Sequence, residues 1–261
     1  MEQNLLMERP NEEGGGHQEN ENGNFGMESL GRCLSSFVDE GSTESHRYYL
    51  SRRTVLEMLK DRGYSVPSSE IDISLQDFRG IYGQNPDIEL LKFSANHKSD
   101  PSKRMLVIFC GSGVVKVGMI RLITFQITDR DSLTGLILVL QNNITSQAVK
   151  ALDLFKFKIE IFQSRSSLIM LLVLDDGLVC PQITDLLVNI TKHILKPKHQ
   201  VLSEQAKQRL LKKYSIEEKQ LPRLLKKDAI SRYYGLERGQ VVKVTYDGDI
   251  TGSHVTYRCV W

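Results

Sequence analysis

Two apolar runs, a helical segment and an alternating run follow one another between residues 104 and 162, and that order leaves few folds open. "RMLVIFC" at 104–110 and "LILVL" at 136–140 are continuous in apolar residues, the pattern of strands covered on both faces. "KFKIEIF" at 156–162 alternates instead. Phe155, Phe157, Ile159 and Ile161 fall on one side, with Lys156, Lys158 and Glu160 on the other. Between the second and third runs, "TSQAVKALDLF" reads as a helix with a polar start. Strand, helix, strand at this spacing is a βαβ unit, whose crossover sets its two strands parallel. The first half of the chain is therefore predicted to be α/β with a partly parallel sheet.

Helices precede it. In "ESHRYYLSRRTVLEMLKDRGY" the residues Tyr48, Tyr49, Arg52, Val55, Leu56 and Leu59 share one helical face. Lys60 and Arg62 suit the negative end of its dipole, and Gly63 can supply the left-handed residue that closes it. A second helix is predicted from "SSEID", where Ser69 and Asp72 have capping-box spacing, with Ile71, Leu75, Phe78 and Tyr82 along its face.

The C-terminal part has a different pattern. "SEQAKQRLLKKY" is a short amphipathic helix with Ser203 as its N-cap and Ala206, Leu210 and Tyr214 inward, and "SIEEKQL" offers a capping box of Ser215 and Glu218. Asp228 can cap "AISRYY", which Gly235 ends. "QVVKVTY" and "SHVTYRCVW" then form a hairpin across a long connection holding "DGD" and Gly252. This is a small α+β unit, with Pro197 and "KPKH" near the junction. Residues 1–32, rich in Glu, Asn and Gly and poor in apolar side chains, are expected to be a disordered acidic tail. The resulting division is 1–32, 33–191 and 192–261.

Charge follows the same division. Residues 1–32 carry seven Glu and two Arg, whereas residues 192–261 carry fifteen Lys or Arg against seven acids, a net of +8. A basic unit of this kind faces phosphate or an acidic protein surface, and charge alone does not choose. The four cysteines, Cys33, Cys110, Cys180 and Cys259, form no C-x-x-C pair. With no signal-peptide pattern at the start, a reducing intracellular setting is expected, and the Asn143 and Asn189 glycosylation patterns carry no weight there. The longest apolar run, "LIMLLVL" at 168–174, is far short of the roughly 20 residues of a membrane span.

No catalytic pattern survives inspection. "GSGVVKVG" at 111–118 fails the phosphate-loop spacing because Lys116 stands where the third glycine belongs, so it reads as a turn between two strands. His193 and His199 are six apart across a proline, with no Cys or acid cluster to complete a zinc site. Asp175 and Asp176 are adjacent, so on an extended chain they point apart. Neither a cofactor nor a metal is expected. "RYYG" at 232–235 invites stacking on exposed bases. The competing reading puts one tyrosine in the core and pairs Arg232 with an acid. Gly235 and Gly239 fix local geometry and favour a preorganised docking element.

At this point "LPRLLKKDAISRYYGLERGQVVKV", with "HVTYR" near the end, closely resembles the assembly domain of the fifth-largest subunit of eukaryotic nuclear RNA polymerases, a family with a counterpart in the archaeal enzyme. The pattern falls on Leu221, Pro222, Arg223, Asp228, Arg232, Tyr233, Tyr234, Gly235, Arg238, Gly239, Val241, Val242 and Lys243. "LLVNITKHILKPKH" resembles the lead-in to that domain, and "RRTVLEMLKDRGY" the first helix of the family's N-terminal jaw domain. The resemblance implies a noncatalytic nuclear subunit. Its jaw would lie near downstream DNA, and its assembly domain would dock on the largest polymerase subunit through Pro222, Arg223, Asp228, Arg232, Tyr233, Tyr234, Gly235, Gly239, Tyr257 and Arg258.

"ESHRYYL", "SIEEKQLPR", "RCVW" and the extended N-terminus resemble the plant form dedicated to RNA polymerase V, which serves RNA-directed DNA methylation. Asp228-Ala229 replaces the family's aspartate-proline, and "DGDITGSH" its usual hairpin loop. Those departures tell against the subunit shared by polymerases I, II and III. A free-standing basic nucleic-acid-binding protein is the alternative from another class. Residues 164–182, "SRSSLIMLLVLDDGLVCPQ", match nothing in the family, and are expected to pair as an extra strand or to expose their apolar run; clean-edged and apolar for a loop, they read as an alternatively spliced or retained-intron segment.

Overall fold

The computed structural model describes residues 41–127, 132–163, 186–248 and 252–261. The acidic tail, the 164–182 insert and the Asp175–Asp176 pair lie outside the described residues.

Helix α1, Thr43–Asp61, starts on Ser42, whose hydroxyl accepts from the amides of Glu44 and Ser45. It buries Tyr48, Val55, Leu56, Met58 and Leu59. Gly63 follows at φ +90, the expected left-handed closure. The next helix departs from expectation. A single turn, α2 at Ser68–Ile71, begins after Pro67 and stops at Asp72, and α3, Leu75–Tyr82, starts afresh. The Ser74 hydroxyl accepts from the Asp77 amide at 3.1 Å and donates to the Asp77 carboxylate at 2.6 Å. Two serine–aspartate pairs have the same spacing, and the one directly ahead of the core-facing Phe78 starts the longer helix. One further turn, α4 at Ile88–Leu91, leads into the first sheet.

That sheet runs β1 (Phe93–Asn96), β2 (Arg104–Phe109), β3 (Leu133–Leu140), β4 (Lys158–Gln163), in spatial order of sequence. β1 is antiparallel to β2, while β2, β3 and β4 are parallel, as the βαβ pattern predicts. Crossover helices α5 (Val117–Gln126) and α6 (Ser146–Leu152) cover one face. Ile120, Ile123, Ala148 and Leu152 pack there on Leu106, Ile108, Leu136, Leu138 and Leu140. The other face, with Val107, Phe109, Ile137 and Val139, packs on Tyr48, Val55, Met58 and Leu59 of α1. Both central strands are thus buried on two sides, which is why they read as unbroken apolar runs. "GSGVVKVG" leads from β2 into α5 rather than between two strands, because Ile120 and Ile123 recur at helical spacing and bury against the sheet.

The second sheet has the order β5 (Lys198–Val201), β7 (Val241–Gly248), β8 (Gly252–Val260), β6 (Arg223–Leu224). β6 runs parallel to β8, and the other pairs are antiparallel. Helix α7, Glu204–Tyr214, is capped by Ser203 and lays Leu210 and Leu211 on Val241, Tyr257, Cys259 and Trp261. Tyr214, expected inward, is 54% exposed in its last turn. Ser215 cannot serve as a cap, because it takes the left-handed position (φ 50) that ends α7. Glu217 and Gln220 close the following turn instead, through a 2.8 Å bond from the Glu217 amide to the Gln220 side chain. The hairpin connection is shorter than expected, since β7–β8 pairing continues to Gly248 opposite Gly252. Helix α8, Ala229–Tyr233, is capped by Asp228, which accepts from the Ile230 amide at 2.8 Å.

Candidate docking surface

Among the described residues no three His, Cys, Asp or Glu side chains gather as a metal would require, and no helix is long and apolar enough to cross a membrane. His193 Nδ1 accepts from the Leu195 amide, and His199 Nδ1 lies 2.7 Å from the Pro197 carbonyl oxygen. Burial pushes the Cys110 thiol up to about 11, so it is not a thiolate at neutral pH.

The residues expected to dock divide into two groups. Arg232, Tyr233, Tyr234 and Gly235 of the second lobe (the second sheet with α7 and α8) face the first lobe (the first sheet with α1–α6). Arg62, at the end of α1, donates from Nε to the Tyr233 carbonyl (2.8 Å) and from Nη2 to the Arg232 carbonyl (2.7 Å). The same guanidinium grips Glu160 of β4 with two bonds of 3.1 and 2.7 Å. Gly235 adopts φ +62, and a Cβ there would stand 3.0 Å from the Arg62 guanidinium carbon. Its carbonyl accepts from Lys158 Nζ at 2.8 Å. Arg232 donates to the Ile161 carbonyl at 2.8 Å, and its guanidinium lies 4.9 Å from the Phe162 ring centre. Tyr233 is buried within the first lobe's core, and its hydroxyl donates to Asp61 at 2.8 Å. Burial, with the Asp61 carboxylate adding to it, holds the Tyr233 phenol well above its ordinary range. Tyr234 packs against both lobes' cores, under the ammonium of Lys196.

The seam continues through the segment that joins the lobes. The Asn189 side chain donates to Glu57 at 2.6 Å and to the Tyr233 hydroxyl at 3.4 Å, and Lys192 also bonds Glu57. Burial works against the Glu57 charge. The bonds from Lys192 and Asn189, together with the charges of Lys192 and Arg53, outweigh it and leave the carboxyl below its usual range.

Pro222 and Arg223 are exposed at the far end. The Pro222 carbonyl accepts from the Cys259 amide at 2.8 Å. The guanidinium carbons of Arg223 and Arg238 lie 4.8 and 4.9 Å from the Trp261 ring centre. Gly239, at φ +89, donates to the Val260 carbonyl and holds Arg238 beside that strand end. Tyr257 is half-buried against α7, and Arg258 stands opposite Val242 on the other sheet face. Ile194 and Leu195 stand 94% and 83% exposed in the joining segment, and Leu225 is exposed after β6.

Sequence reasoning missed the partners of the seam. Arg62 carried only a helix-end signal, and Glu160 only the polar phase of an alternating strand. Trp261 gave no sign that two arginines converge on it.

Comparison with known proteins bears on most of the chain. The family description "RNA polymerase Rpb5, N-terminal domain" matches residues 42–127, and "RNA polymerase Rpb5, C-terminal domain" matches residues 188–260. DNA-directed RNA polymerase V subunit 5A of Arabidopsis thaliana is 56% identical over 229 residues, covering 88% of this chain and 95% of that protein. DNA-directed RNA polymerases IV and V subunit 5B of the same plant is 54% identical over 236 residues, 90% and 100% of the two chains. DNA-directed RNA polymerases I, II, and III subunit RPABC1 of Caenorhabditis elegans is 32% identical over 224 residues, 83% and 97%.

Proposed function

The chain belongs to the Rpb5 family of RNA polymerase subunits, and on that premise we propose that it is a noncatalytic subunit of the plant RNA polymerase V. In this reading it works in the nucleus, in the noncoding transcription that guides RNA-directed DNA methylation. The observation that carries the reading is the separation in identity. Relatives of Arabidopsis thaliana named for polymerase V, or for IV and V, share 42–56% with the chain, while two Caenorhabditis relatives named for polymerases I, II, and III share 32%.

Residues 192–261 act as the assembly domain on the largest subunit, and residues 33–191 as the jaw, near downstream DNA. Within the assembly domain, Arg232, Tyr233 and Gly235 shape the lobe from inside, since their contacts are made within the chain. Pro222, with Arg223 and Arg238 over the Trp261 ring, supplies the outward contact. Two guanidinium groups over one indole suit an acidic partner segment.

The test is affinity purification of tagged full-length chain from plant cells, with mass spectrometry of the co-purifying largest subunit. Recovery of the polymerase V subunit is expected, with loss of recovery in an Arg223→Glu/Arg238→Glu variant that still folds. Recovery of the largest subunits of polymerases I, II and III would make this a shared subunit. Recovery of none, with salt-sensitive retention on nucleic acid, would favour a free-standing binding protein.

A further inference from the structure

An edge of the second sheet stays open. β6 is two residues long and reaches only the end of β8, with Arg223 opposite Cys259 and Leu224 opposite Val260. On its other side β8 pairs with β7 from Gly252 to Cys259 in unbroken register. The Val260 amide donates toward β7, to the Gln240 carbonyl, whereas the Cys259 amide donates to the Pro222 carbonyl on the β6 side. Strand backbones alternate, so the amides and carbonyls of Ser253, Val255 and Tyr257 point the same way as the Cys259 amide. Among the described residues nothing bonds to these groups. Pro222 is the reason the β6 ladder stops. In the register of β6 the next donor would be the amide of residue 222, aimed at the Tyr257 carbonyl, and proline has none.

Three other strands carry guards against joining another chain. Arg232 takes the Ile161 carbonyl of β4, and the Ser65 amide donates to the Asn96 carbonyl of β1. Pro197 precedes β5, which opens on the exposed Lys198. Residues 253–257 of β8 hold neither proline, lysine nor register shift, and Ser253, His254 and Val255 are exposed. An edge whose outward donors and acceptors recur about every 7 Å is matched by another extended polypeptide. The corner of Pro222 and Arg223 that the docking reading turns outward stands at the end of this same edge. We infer that residues 253–257 receive an added strand from the polymerase subunit on which this domain docks, an inference that rests on that docking reading. The strand prolongs the line of β6. Its backbone bonds Ser253, Val255 and Tyr257, and its side chains on the α7 side are apolar where they meet Val255 and Tyr257.

The test compares Val255→Pro with Val255→Thr. The Val255 amide points away from β7, so proline removes an edge donor and leaves the hairpin's own ladder whole. Threonine keeps the amide and the branched shape. Each full-length chain is tagged, expressed in plant cells and purified with its partners, and circular dichroism of the free chains checks folding. Wild type and Val255→Thr are expected to recover the largest subunit, and Val255→Pro at least tenfold less of it. Hydrogen exchange resolved to single amides gives a second readout that needs no variant, and it alone decides if Val255→Pro misfolds. The amides of Ser253, Val255 and Tyr257 should exchange fast in the free chain and at least tenfold more slowly in the complex, with Thr256 and Arg258 slow in both. Undiminished recovery by Val255→Pro, or unchanged exchange at those three amides within a recovered complex, overturns the added strand and leaves the docking reading standing. Recovery of no polymerase subunit by wild type overturns both. Slowing that appears in the free chain as its concentration rises assigns the edge to a second copy and overturns the proposal.

Discussion

Arg62 and Glu160 are 98 positions apart in the chain and meet through two hydrogen bonds, and the same guanidinium also holds the carbonyls of Arg232 and Tyr233. Both side chains are nearly buried, at 6% and 13% exposure. Replacing Arg62 by alanine removes both of its bonds to Glu160, leaving the Lys158 ammonium 3.5 Å from that carboxylate, and strands two carbonyls away from water. The expected loss is about 3–5 kcal/mol. Arg62→Lys should recover little of it, because a single ammonium cannot reproduce the fork. Denaturant unfolding of the purified chain measures both, and a loss near zero for Arg62→Ala would remove the seam from the account.

Gly235 and Gly252 have almost the same backbone, at φ +62 and +63, but different surroundings. A Cβ on Gly252 meets nothing within 4 Å, whereas one on Gly235 meets the Arg62 guanidinium at 3.0 Å. Alanine at either site costs about 1–2 kcal/mol of backbone strain. Gly235→Ala should cost more than Gly252→Ala, and the difference, read from paired unfolding curves, measures how tightly the seam is closed.

Ser74, not Ser69, carries the cap of α3. Ser74→Ala should therefore lower stability by about 1 kcal/mol, with Ser69→Ala within about 0.5 kcal/mol of wild type. Thermal or denaturant melts of the two variants distinguish them directly.

His199 gives a pH signature. Burial, helped by the nearby charges of Lys196 and Arg258, lowers its pKa from 6.5, although the Pro197 carbonyl and Asp228 oppose the shift. The unfolded chain then takes the proton more readily than the folded one. The neutral ring's contribution is full above about pH 6.5 and is lost as pH falls through the folded-state value. Unfolding free energies from pH 5 to 8 should decline below about 6.5 in the native chain and less steeply in His199→Gln.

The parts legible in the sequence are those governed by local periodicity. The two unbroken runs and the alternating one became β2, β3 and β4 because burial on two faces and on one face leaves different residue patterns. Tyr233 in the core was one of two readings of "RYYG", and the structure adopts it. Where two local signals competed, as with Ser69 and Ser74, or with Ser215 as a cap or a helix end, spacing could not choose, because tertiary packing decides which turn survives. The seam was not legible at all. Its bonds join residues up to 172 positions apart, and four of them end on backbone carbonyls that every sequence possesses.

Among the described residues β4 is the last strand of the first sheet, and its Ile161 carbonyl is taken by Arg232. During synthesis the ribosome releases β4 well before it makes Arg232, which lies 71 positions beyond Ile161. At about 5–20 residues per second, several seconds pass before Arg232 exists to take that carbonyl. An unpaired rim flanked by isoleucines is a template for joining another chain. The Arg232 bond to that rim is therefore among the last contacts of the first sheet that synthesis allows to form.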